Sequence, residues 1–141
     1  MAVRVRVRLR RKHGGSSKEF VVLVNSGAES EEPVIVVYPD IVEDLGLSLS
    51  RDFDLVEVEL ASGKTHNLIS KEKLILELID EKGNVLASTK AYVAVDENLT
   101  EPLITDATID ELGIQVISFK KGLWRHRKDP INMVRSSAMK P

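Results

Sequence analysis

Cysteine is absent from the 141 residues, which excludes a disulfide framework, thiolate metal ligands and a cysteine nucleophile. Aromatic residues are scarce, with three Phe, two Tyr and one Trp, so the core must be filled by branched aliphatic side chains, and these suit pleated sheets. Long hydrophobic runs are missing too. The N-terminus alternates Val with Arg instead of placing an apolar block after a charged start, and a run such as Phe20 to Val24 is far too short to cross a bilayer. The expectation is a soluble, cytoplasmic protein of one domain with no membrane partner. A glycosylation sequon at Asn98-Leu99-Thr100 has no secretory signal to go with it.

The formal net charge of −2 hides a segregated pattern. Residues 1 to 20 and 120 to 141 hold fourteen of the 20 Lys and Arg, opposed there only by Glu19 and Asp129, so the ends are basic and the middle acidic. Basic ends can bind nucleic acid phosphates, or pair with the acidic middle of the same fold or of a partner subunit. The second is favoured, because no aromatic platform interleaves with the basic residues.

Val3, Val5, Val7 and Leu9 alternate with Arg4, Arg6, Arg8 and Arg10, the period of a half-buried strand. His13 to Ser17 is turn chemistry, and Lys18 to Val24 returns as a strand that becomes apolar on both faces. After Asn25-Ser26-Gly27 comes an acidic loop, Glu29 to Pro33, then an apolar run, Val34 to Tyr38. A short helix follows, with Asp40 as its cap and Gly46 closing it. Val56 to Leu60 and Thr65 to Ile69 form a hairpin tipped by Ala61-Ser62-Gly63-Lys64, and Leu74 to Ile79 and Val85 to Val95 form another across Asp80 to Asn84. Leu103-Ile104 leads, through a Thr105-Asp106 cap, into a helix over 107 to 112 ended by Gly113. Ile114 to Phe119 and Leu123 to Arg127 make a last hairpin, with Trp124 packed on the sheet or at a subunit interface, and residues 128 to 141 read as a basic, frayed tail. Val42-Glu43-Asp44-Leu45-Gly46 echoes Ile109-Asp110-Glu111-Leu112-Gly113, each after an apolar strand and turn.

Other chemistry finds little footing. Glu29, Glu31, Glu32 and Asp40 fit no cation-loop spacing, and His13, His66 and His126 are far apart, so they are expected as exposed side chains rather than metal ligands. No Gly-rich phosphate loop precedes a helix, and no cofactor is expected.

Taken in order, strand, Asn25-Ser26-Gly27-Ala28, second strand, helix with Leu45-Gly46, hairpin at Ser62-Gly63, further strands, Leu103-Ile104-Thr105-Asp106 and a helix with Leu112-Gly113, residues 1 to 127 resemble the retropepsin family of aspartic peptidases. The resemblance implies a mainly β fold, a closed barrel half with two short helices, pairing as a homodimer into a peptidase-like cleft for a peptide or protein ligand. It places Asn25 where the catalytic Asp belongs, with Ser26 and Gly27 completing the turn, Ala28 beside substrate, and Ala61, Ser62, Gly63 and Lys64 in a flap over the cleft. Three departures stand out. Family members usually have Gly where Thr105 stands, Glu29 to Pro33 is extra length before the second strand, and the carboxylate is replaced by the amide of Asn25. Two neighbouring carboxylates share a proton and activate water, whereas an amide neither ionises nor acts as a base, so no ordinary peptidase turnover is expected. Asn25 can be a natural loss in a pseudoenzyme, an engineered inactivation, or part of an ordinary turn. The alternative from another class is a non-enzymatic module that binds nucleic acid or a protein through its basic ends.

Overall fold

A computed structural model describes residues 2–60 and 63–140, apart from the side chains of residues 58–65. The chain is mainly β, with eleven strands and two short helices among the described residues. Strand β1 (Arg4–Arg10) has Val5, Val7 and Leu9, with Val3 just before it, at 0 to 1% exposure on one face and arginines on the other. It pairs antiparallel with β2 (Ser17–Val24) on one side and with β6 (Leu74–Ile79) on the other. Strand β7 (Val85–Val95) continues from β6, and its last residues run parallel to β3 (Val34–Val37).

The sheet closes on itself through β8 (Leu103–Ile104), which lies between β3 and β2. The ring order is β3, β8, β2, β1, β6, β7 and back to β3. Ile35, Leu76, Leu78, Val93 and Ile104 fill its interior with no exposed surface. Burying such a side chain is worth about 1.5–3 kcal/mol. The hairpin of β4 (Phe53–Leu60) and β5 (Gly63–Ser70) hangs on the ring by Leu68 and Ile69 against Val95 and Ala94. Leu55 and Val56 are exposed along it.

Helix α1 (Pro39–Asp44) follows β3 and helix α2 (Asp106–Leu112) follows β8, so the echoing motifs occupy corresponding places. Their N-termini correct the expected caps. Tyr38 is the capping residue of α1 and Asp40 lies within its first turn, while Thr105 caps α2 by position only, making no side-chain bond to the helix amides. Pro at the first position of α1 needs no donor partner, which lessens the demand for a polar cap. Gly113 ends α2 at φ 71°, and a Cβ there would lie 2.9 Å from the Arg127 side chain, so glycine is required on both counts.

A second, three-stranded sheet joins β9 (Ile114–Ser118), β10 (Leu123–His126) and β11 (Arg135–Ser136). Trp124 is buried under it and donates its indole N–H to the Ser136 carbonyl at 3.3 Å. The segment from Lys128 onward, whose composition suggests fraying, is thus tied to the fold. The Ala138 amide donates to the Arg4 carbonyl, the Arg4 amide to Ser137 Oγ, and Arg135 forms a two-pronged ion pair with Asp129 at 2.8 and 2.9 Å. None of the helices of the described residues is long and apolar enough to cross a membrane.

Hydrogen bonding from Arg135, with further help from the His126 amide, pulls the Asp129 carboxyl from 3.8 to about 2. A carboxyl lowered on folding stabilises the protein above its ordinary pKa, and that stability is lost as pH falls from about 4 toward 2. Arg135→Gln should cost about 2 kcal/mol at pH 7 and much less at pH 2. Urea unfolding at the two pH values checks this, and an equal loss at both would refute the pairing.

Candidate functional site

Strand β2 ends at Val24 because its neighbours end with it. The Leu23 amide donates to the Pro102 carbonyl at 2.9 Å and the Asn25 amide to the Ile104 carbonyl at 3.3 Å, so β8 holds the strand up to the residue where it turns. Asn25 to Ala28 then form a turn, closed by the Ala28 amide on the Asn25 carbonyl at 3.1 Å. The Asn25 side chain folds back, its Oδ1 accepting from the Gly27 amide at 3.1 Å. Such short-range capture of a backbone amide is what Asn and Asp do in turns. The side-chain NH2 group of Asn25 donates to no group among the described residues, and Ser26 and Gly27 stand exposed at the tip.

Behind the turn lies a polar brace that sequence patterns show only in part. Asp106 Oδ1 accepts from the amides of Ser30 and Ala107, at 3.0 and 2.7 Å, while the Asp106 amide donates to the Ala28 carbonyl at 2.9 Å. The turn is therefore fastened at both its ends to the β8–α2 junction. Thr105 is buried, and its hydroxyl lies 2.7 Å from Ser30 Oγ and 3.0 Å from Thr108 Oγ1. Thr108 in turn accepts from the Val34 amide at 2.8 Å and donates to the Val34 carbonyl at 2.9 Å. Ser30, Thr105 and Thr108 form one chain of hydroxyls linking the loop, β3 and α2. Thr105 and Asp106 were expected as helix caps; Asp106 Oδ1 does accept from the Ala107 amide of the helix, and both side chains also bond the loop at Ser30. The Thr105-Asp106 doublet beside Thr108 was the available sequence signal.

Thr105 has extended backbone, φ −83° and ψ 171°, so nothing in its conformation calls for the glycine that the family resemblance leads one to expect.

Of the flap residues, Ala61 and Ser62 lie outside the described residues. Gly63 and Lys64 begin β5, paired with Leu60 and Glu59. Within a single chain, no hydrogen bond among the described residues joins this hairpin to the Asn25 turn. Glu32 of the acidic loop forms an ion pair with Lys73 at 2.7 Å.

The histidines do not converge, and among the described residues no group of three His, Asp or Glu could hold a metal ion. His13 and His66 are exposed, but His126 is not, correcting the expectation for it. Burial pushes its pKa down, its Nδ1 accepts from the Lys128 amide at 3.3 Å, and its Nε2 is buried without a partner. It packs as a buried residue of the second sheet.

The arginines of β1 are largely spoken for within the chain. Arg4 meets Glu101 at 2.8 and 2.9 Å, while Arg8 lies 3.4 Å from Glu77 and 3.5 Å from Glu19. Arg10 reaches Glu77 at 3.6 Å, and Arg6 is exposed and forms no ion pair among the described residues.

The brace makes a direct expectation. Thr105→Gly removes a buried hydroxyl with three neighbours and loosens the backbone, and should destabilise the protein by about 1–3 kcal/mol despite matching the family pattern. Denaturant unfolding checks this, and a neutral or stabilising effect would show that the hydroxyl chain contributes nothing.

In comparisons with known proteins, no family model and no curated sequence matches this chain.

Proposed function

We propose that the chain is one half of a retropepsin-like homodimer that binds an extended peptide or protein segment and, with Asn25 at the dyad position, does not hydrolyse it. The observation that carries the proposal is strand β8, parallel to β2 and antiparallel to β3, seated between them directly behind the Asn25–Ala28 turn. This insertion presents one side chain at the end of a rigid strand. An ordinary hairpin turn would have its two strands paired with each other, and here they are not.

Three further features support the proposal. The ring with α1 after β3 and α2 after β8 has the element order of the resemblance. The β4–β5 hairpin leaves the ring after Leu68 and exposes Leu55 and Val56, as an arm over a cleft would. The Gly27 amide is aimed at Asn25 Oδ1, the contact that would favour an ionised carboxylate if Asp stood there. In a dimer the two Asn25 side chains would offer carbonyl oxygens and NH2 groups to each other and to a peptide carbonyl, with neither a base nor an acid at the centre.

The rival nucleic-acid module loses support from the same side chains that suggested it, since Arg4, Arg8 and Arg10 are engaged by glutamates of the chain.

Solution mass and restored chemistry test the proposal. Sedimentation should give twice the 15.7 kDa of the chain, and a strict monomer would leave half a cleft and refute it. Asn25→Asp should confer cleavage of a mixed peptide library at mildly acidic pH, with an optimum set by a shared proton, while the Asn form stays inert. Failure of a dimeric Asp form to cleave any peptide would refute peptidase descent.

A further inference from the structure

Away from the Asn25 turn, a groove of about 290 Å³ opens between the turn after β1 and the turn between β5 and β6. Its walls carry four cations, Arg11 and Lys12 on one side and Lys71 and Lys73 on the other, against two carboxylates, Asp52 and Glu72. We propose that this groove binds a phosphoryl group, supplied as inorganic phosphate or as a small phosphomonoester.

The charges there are unusually free. The β1 arginines are met by glutamates, but Arg11, Lys12 and Lys71 form no ion pair among the described residues. Asp52 attracts Arg11 at longer range but bonds to none of the four cations, its oxygens accepting from the Ser48 amide at 2.8 Å and from Arg51 at 3.2 and 3.4 Å. The Ser48 amide and Arg51 hold its carboxyl below the usual range. Lys73 is shared, with Glu32 2.7 Å away and the Tyr92 ring beneath it.

The groove wall also holds a buried donor. Ser70 is only 5% exposed, and its Oγ accepts from the Val93 amide at 2.9 Å. Its own O–H has no acceptor among the described residues. A buried hydroxyl proton with no acceptor is costly unless something supplies a lone pair, and the groove that Ser70 lines is where that acceptor would come from. Ammonium and guanidinium groups likewise donate and never accept. A ligand of many acceptors and up to two negative charges meets all of them, and a phosphoryl group is such a ligand. Leu47 and Leu74 supply an apolar patch for a few attached carbons. The volume is at the small end for ligand sites, which suits a small phosphorylated molecule better than a polymer.

The test is calorimetric titration of the full chain with inorganic phosphate and, separately, with glycerol 3-phosphate, at about 0.15 M chloride, the ionic strength that screens diffuse attraction. The expected result is saturable binding of one equivalent, weakened at least tenfold in the Arg11→Gln, Lys71→Gln double variant and unchanged in Arg6→Gln, with all three proteins melting alike. Tighter binding of glycerol 3-phosphate would assign the monoester as source, and equal or tighter binding of phosphate the free ion. Lack of saturation in the unaltered protein overturns the proposal. So does equal weakening by Arg6→Gln, which would mean diffuse attraction to the whole surface. Displacement of phosphate by a short DNA duplex, with duplex affinity lost in the double variant, would reassign the groove to nucleic acid and also overturn it.

Discussion

The alternation of Val and Leu with Arg along β1 is the constraint on which the other elements rest. Its apolar row is almost wholly enclosed, while its charged row meets Glu19, Glu77 and Glu101 on the outside. Sliding the strand by one residue against β2 or β6 would drive guanidinium groups into an aliphatic interior, at a cost no neighbouring contact could offset. Register is thus fixed on both sides of β1. Through β2 it also fixes where the strand ends and the Asn25 turn begins. The C-terminal segment depends on it as well, since Ser137 and Ala138 bond to the backbone of Arg4.

The site is built by a different kind of interaction. Around the turn, apolar packing gives way to a dense set of directed bonds in which Asp106, Ser30, Thr105 and Thr108 each satisfy backbone groups that a loop would otherwise leave to water. Such networks are worth keeping only when every member is satisfied. Among the described residues the side-chain NH2 of Asn25 bonds to none, at the tip of the turn. The second sheet follows the same economy, with Asp129 and Arg135 closing on each other over Trp124.

Most strands were legible in the sequence because their period survives the loops around them. Leu74 to Ile79 and Val85 to Val95 match the observed strands to the residue. The two-residue strand Leu103–Ile104 was visible as an apolar pair, but its pairing with both β2 and β3 was not, because partner choice depends on segments 67 to 80 residues away. Thr105 and Asp106 looked like caps, since local chemistry favours that role for an isolated helix. Tertiary contacts with Ser30 draw both side chains toward the loop. The order in residues 128 to 140 was masked by their charge, which reads as solvated until Asp129 is seen to face Arg135. His126 was misjudged for the same reason, as nothing in its neighbours announces a core position.

The slot filled by β8 also shapes how the protein must come into being. Strands β2 and β3 stand two sheet spacings apart, roughly 10 Å, and the loop from Asn25 to Pro33 spans that distance without letting them pair. As the chain emerges from the ribosome, everything before Leu103 can be present while the ring still has a missing stave and two bare strand edges flank the gap. Those edges are open to any extended segment of another nascent chain until the proper one arrives. The turn that bears Asn25 is therefore among the last parts to become rigid, and its assembly waits on two residues made nearly eighty positions later.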